Sequence, residues 1–137
     1  INKFLEEVKR TLKNQGYFIL ADTSTSKNKE PRIWQQKVEK IRDKTHIKSL
    51  DIDSWARKIE SFGFNIIDKT VTQVPMTFNK WVQRSGTNKE DIEVLFYLFK
   101  NASSKSIKEY KIKEISNVDF SFSWPCFVSI SKINKEK

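Results

Sequence analysis

Ile1, Phe4, Leu5, Val8 and Leu12 recur at three- and four-residue intervals, which predicts an amphipathic opening helix, and Gly16 is placed to end it in a left-handed cap. Tyr17 to Ala21 are then continuously apolar. A run without polar alternation predicts a parallel strand covered on both faces, with Asp22 at its exit. After the polar loop "TSTSKNKEP", Pro31 suits the first turn of a short basic helix carrying Ile33, Trp34, Val38 and Ile41. Asp51 is placed to cap a further helix, and Leu50 and Trp55 flank it at the spacing of a hydrophobic staple. Ile52, Trp55, Ala56, Ile59 and Phe62 form the buried face of that helix, which Gly63 stops.

Phe64 to Val74 read as a strand that Pro75 ends. Phe78, Trp81 and Val82 predict a short helix. The capping box "TNKE" from Thr87 to Glu90 opens a longer one with Ile92, Leu95, Phe96 and Phe99 on its apolar face. Phe120, Phe122, Trp124, Cys126, Val128 and Ile130 alternate with mostly small or polar residues, the strongest period-two signal in the chain. Residues 134–137 are expected to fray.

Length and composition narrow this picture. With 137 residues, of which 37% are apolar, the chain is expected to bury one core and form one domain or a piece of one. It has no run of about 18 apolar residues and no basic-apolar-small leader, so a cytoplasmic chain without a membrane span is expected. Cys126 is the only cysteine, which excludes an internal disulfide and a cysteine-based zinc site, and its apolar neighbours suggest a core thiol. The formal charge of +9 invites a nucleic-acid reading. Its distribution weakens that reading: lysine outnumbers arginine 21 to 5, and the lysines are scattered over the whole chain. Arginine is the residue that reads guanine edges and grips phosphate bidentately. A solvated lysine-rich surface is the simpler account. An initial isoleucine already inside a helical pattern suggests that sequence is missing upstream.

Four segments carry a family resemblance: "FLEEVKRTLKNQGYFILAD", "RDKTHIKSLDIDSWARKIESFGF", "FNKWVQRSGTNKED" and "SFSWPCFVSISK". In this order and spacing the chain resembles the C-terminal half of class I S-adenosylmethionine-dependent methyltransferases, in the branch of quinone-biosynthesis C-methyltransferases. The resemblance implies an α/β class and a partial Rossmann-like fold of about three strands. The last strand, Phe120 to Ile130, is expected to run antiparallel and to insert between Tyr17 to Ala21 and Phe64 to Val74. It further implies a substrate-side portion over 1–133 with lid-like helical insertions at 23–50 and 76–112. In that family the glycine-rich loop for the donor lies on earlier strands. Here Gly16, Gly63 and Gly86 are the only glycines and no G-x-G occurs. S-adenosylmethionine is therefore expected in the complete enzyme and not on this chain alone.

The resemblance places Asp22 at a strand end facing the cleft, where it would contact substrate, although capping a loop is the alternative. It places His46, the single histidine, in a segment bordering the substrate pocket. Histidine titrates near neutral pH, so a role as general base is open to it, as is a local hydrogen bond at a helix end. No metal site is expected. Trp34, Phe78 and Trp81 are candidate walls for a ring-shaped acceptor or else core residues, whereas Trp55 and Trp124 read as packing. Lys44, Lys48 and Arg84 are candidates for attracting an anionic substrate. The leading expectation is part of a small-molecule methyltransferase, inactive alone. The alternatives are a non-enzymatic interaction module and, behind it, a nucleic-acid binder. With Tyr17 to Ala21 left as a sheet edge, a homo-oligomer paired through that strand is expected.

Overall fold

The computed structural model describes residues 1–135. The chain divides into two units. The first holds Ile1–Ser24, Leu50–Thr72 and the described residues from Cys126 onward; the second holds Thr25–Ser49 and Gln73–Pro125. The elements run α1 (Asn2–Thr11), β1 (Tyr17–Thr23), α2 (Lys29–Arg42), α3 (Ile52–Ser61), β2 (Phe64–Thr77), α4 (Phe78–Arg84), α5 (Lys89–Lys100), α6 (Ser104–Tyr110), β3 (Lys113–Ser116) and β4 (Asp119–Ile133). The fold is α/β, with strand order β1-β4-β2 and β3 also paired with β4. The last strand is central and antiparallel to β1, from Tyr17 opposite Lys132 to Thr23 opposite Cys126, as the sequence predicts.

In the first unit, Leu5 of α1 and Trp55 and Ile59 of α3 pack with Phe18, Leu20, Phe64, Phe127 and Ile133 of the strands. Trp55 stacks on Phe127 at 6.0 Å between ring centroids. Asp51 caps α3 by accepting from the Ser54 amide at 2.8 Å, as expected of that residue type at a helix start. Gly63 follows α3 with φ +88°. At the end of α1 the positive φ belongs to Gln15 and not to Gly16. Gly16 is needed there for closeness, since a Cβ on it would lie 2.8 Å from the Lys13 carbonyl oxygen.

Only one face of β1 is covered, which corrects the expectation of a strand buried on both sides. Phe18 and Leu20 are buried, while Tyr17 is 61% and Ile19 66% exposed. Its one ladder partner is antiparallel β4. An outer strand with helices on one side buries alternate residues, whatever the hydrophobicity of the rest. Ile67 and Ile130 are also exposed.

The second unit has its own core, so the single core expected from length is replaced by two. Phe78, Trp81, Leu95, Phe99, Tyr110, Phe120, Phe122 and Trp124 cluster with Val38 and Val82. Here α2 packs on α5 and α6. With 14 residues α2 is the longest helix and not the short one predicted. The cap of α5 is Asn88, which accepts from the Asp91 amide at 2.8 Å; Thr87 instead donates its hydroxyl to the Arg42 carbonyl oxygen at 3.0 Å. Pro75 does not end β2, consistent with outer strands tolerating a missing N–H. Neither α6 nor β3 was anticipated by the hydrophobic pattern.

Along β4 the buried positions change phase. Phe120, Phe122 and Trp124 are buried in the second unit, then Phe127, Ser129, Ser131 and Ile133 in the first. Cys126 is consequently half-buried and not the core thiol expected. Burial and the neighbouring Asp22 carboxylate push its thiol up from its ordinary value. Of the tail, the Lys135 amide donates to Asn14 Oδ1 at 2.9 Å, and residues 136 and 137 lie outside the described residues.

Candidate functional site

The best-defined polar cluster lies within the second unit, on α2 and the loop that follows it. Gln35, Gln36, Glu39 and Lys40 project from α2, and His46 and Ser49 from the loop. Glu39 is 6% exposed, and charges are seldom buried without partners. Its Oε2 lies 3.2 Å from His46 Nε2 and accepts from Ser49 Oγ at 3.1 Å, while Gln35 Nε2 stands 3.5 Å from Oε1. Burial raises the Glu39 carboxyl above its ordinary value, with His46, Ser49, Gln35 and Arg42 opposing that shift.

Gln36 holds the same loop. Its Nε2 donates to the Ser49 carbonyl oxygen at 2.9 Å, and its Oε1 faces the Ser49 amide and His46 Nε2, each at 3.3 Å. Lys40 Nζ donates to the carbonyl oxygens of Lys44 at 2.6 Å and His46 at 2.8 Å. Asp43 accepts from the Thr45 amide and hydroxyl, and these bonds hold its carboxyl below its ordinary value. The loop is therefore fastened to α2 by side-chain bonds, with no regular structure of its own.

The other predicted residues fall elsewhere. Asp22 is exposed near the end of β1, where its Oδ1 lies 2.7 Å from the amide nitrogen of the next residue, Thr23. Trp34 is half-buried against Phe99, Tyr110 and Trp124, with its indole N–H 3.4 Å from the Leu98 carbonyl oxygen. Phe78 and Trp81 are 1% and 2% exposed. Arg42 donates to the Trp81 carbonyl oxygen at 2.8 Å and lies 4.9 Å over its ring; burial lowers the Arg42 value. Trp81 also borders a hollow of about 320 Å³ with Met76, Lys80 and Arg84. Lys44 is paired with Asp91 at 3.2 Å. A larger cleft of about 930 Å³ lies between the start of α2 and α6, lined by Lys29, Pro31, Ile33, Lys105 and Lys108 among others. No predicted site residue lines it. Glu39 and Gln36 were missed by sequence reading; the only signal was their position on α2, seven and ten residues before the single histidine.

Nearly the whole chain superposes on two solved structures. One is a candidate methyltransferase, BH2331 from Bacillus halodurans C-125 (TM-score 0.87, 23% identity, 96% of this chain and 62% of that one). The other is YcgJ from Bacillus subtilis (TM-score 0.83, 20% identity, 98% and 58%). The chain has the class I methyltransferase fold. In sequence it is similar to the uncharacterized protein YafE of Escherichia coli (strain K12), 28% identical over 107 residues, and to the uncharacterized methyltransferase YcgJ of Bacillus subtilis (strain 168), 23% identical over 87. These matches span 51% of YafE and 34% of YcgJ, so the chain corresponds to about half or less of its curated relatives. No family model matches.

Members of this methyltransferase fold use S-adenosylmethionine, and the glycines here do not fit its loop. A Cβ on Gly16 would meet its own chain, one on Gly63 would lie 3.5 Å from Lys9 Nζ, and one on Gly86 would meet nothing within 4 Å. No cluster of three or more histidine, cysteine or acidic groups that could hold a metal ion occurs among the described residues. No helix among them is long and apolar enough to cross a membrane.

Proposed function

We propose that these residues form the acceptor-side part of an S-adenosylmethionine-dependent methyltransferase of small molecules, in the branch that resembles quinone-biosynthesis C-methyltransferases. The donor site is supplied by residues outside this chain, and the chain alone transfers no methyl groups. One observation carries the reading: almost all of this chain overlays on little more than half of two methyltransferase chains, and it contains no glycine-rich loop. His46 serves as the acceptor-side base. Trp34 contributes to holding the acceptor, with Phe78 and Trp81 in the core of the same unit.

Partner binding belongs to the same proposal. β1 is an outer strand without lysine or proline, the residues that commonly blunt such edges, and it exposes Tyr17 and Ile19. This favours self-association through β1, in this chain alone, about a twofold axis.

Calorimetric titration with S-adenosylmethionine and with its demethylated product tests the reading. Residues 1–137 are expected to take up neither, and a version extended upstream of Ile1 is expected to bind both at one site. Stoichiometric micromolar binding by residues 1–137, or no binding by the longer chain, overturns it.

A further inference from the structure

His46 Nε2 faces two oxygens. One belongs to Glu39, at 3.2 Å. The other is Oε1 of Gln36 at 3.3 Å, and its identity as an oxygen is fixed at Ser49: the Gln36 amide must present its nitrogen to the Ser49 carbonyl and its oxygen to the Ser49 N–H. A nitrogen between two acceptors must carry the proton. In the neutral ring the lone pair then resides on Nδ1. Among the described residues Nδ1 has no hydrogen-bond partner, it is not one of the buried polar atoms left unpaired, and the His46 side chain is 21% exposed. A carboxylate behind one ring nitrogen with a free, solvent-reachable nitrogen in front is the arrangement that orients a histidine base and stabilises the cation it becomes.

We propose that the proton-accepting atom of His46 is Nδ1, and that Glu39 and Gln36 are the positioning residues that keep it bare. The proposal deepens the methyltransferase reading and rests on it for the identity of the reaction. An acceptor O–H, N–H or activated C–H gives its proton to Nδ1, its bonding pair stays on the acceptor, and the neutral imidazole becomes imidazolium with its Nε2–H still on Glu39. The charge created lies beside the Glu39 carboxylate. Other charged groups near the loop are Lys40, bonded to the His46 carbonyl oxygen, Arg42 and Asp43 at the end of α2, and on the loop itself Lys48 and Lys44, the latter paired with Asp91.

A single histidine makes the test direct. Nitrogen-15 spectra of the chain with a neutral ring are expected to show a protonated Nε2 and a bare Nδ1, and diethyl pyrocarbonate is expected to carbethoxylate Nδ1. Glu39→Gln keeps the shape and removes the charge that faces Nε2, and should slow that modification at least about threefold, because the carboxylate no longer stabilises the positive charge that develops on the ring as Nδ1 attacks. Ile47→Ala changes an exposed side chain on the same loop, leaves Gln36, Glu39 and Ser49 in place, and should not slow it. A proton on Nδ1 in the unaltered chain, or equal rates for Glu39→Gln and the parent, overturns the proposal. In the longer, donor-binding chain, His46→Gln should abolish most turnover. Unchanged turnover removes the base while leaving the methyltransferase; failure of that chain to bind donor removes the methyltransferase while leaving the assignment of the ring proton.

Discussion

Tyr110, at the end of α6, donates its hydroxyl to the carbonyl oxygen of Pro31 in the first turn of α2 at 2.9 Å, across 79 positions of sequence. The ring is fully buried, 4.8 Å from Trp124 and 5.8 Å from Trp34. Burial, with Glu109 beside it, pushes the phenol well above its ordinary value, which favours its protonated, donating form. Tyr110→Phe keeps the ring and removes the bond. It is expected to cost about 1–2 kcal/mol in urea unfolding. No change in the midpoint would mean that this bond does not help hold α6 to α2.

Glu39 makes stability depend on pH. Its carboxyl is raised by burial in the folded chain, so between the ordinary value of 4.5 and the raised one the folded chain binds more protons than the unfolded chain. Its contribution is complete below 4.5 and is lost as pH rises through the raised value. Glu39→Gln is expected to flatten that decline, measured as the difference between the two unfolding free energies from pH 4 to pH 8. A difference that grows in the opposite direction would show that the pairing with His46 and Arg42 outweighs burial.

Phe78 touches the rings of Trp81, Phe96, Phe99 and Phe120 at centroid distances of 5.1 to 6.3 Å. Removing it opens a cavity in the second core, and Phe78→Ala is expected to cost about 3–5 kcal/mol. Soluble protein with an unchanged urea midpoint would instead favour a binding role alone.

Ile19 projects from the exposed face of β1, so Ile19→Lys should leave thermal stability nearly unchanged while blunting the edge. Light scattering is expected to give a multiple of the chain mass for the parent and a monomer for the variant. A parent that is monomeric at high concentration would dismiss self-association.

Helical spacing exposed most of the architecture. The apolar faces of α1, α3 and α5 and the cap at Asp51 were all legible, because each depends on neighbours within one or two turns. The pattern failed where a longer-range relation decides. The apolar run in β1 could not reveal that one face stays uncovered. The alternation in β4 could not reveal that the buried positions change phase near Pro125. The α5 cap is Asn88 and not Thr87, whose hydroxyl donates to the Arg42 carbonyl oxygen, 45 positions away.

The candidate site divides in the same way. His46 stood out as the single histidine in a segment with a family resemblance, a property of sequence. Glu39 and Gln36 look in sequence like solvated polar positions of a basic helix. The sequence by itself determined which segments coil or extend and that no glycine-rich loop is encoded, because backbone preference and hydrophobic period act over a few residues. Tertiary structure alone decided that the loop folds back on α2, burying Glu39 and setting two acceptors against one ring nitrogen. A proton's location and a carboxylate's burial depend on groups brought together in space, which no spacing along the chain records.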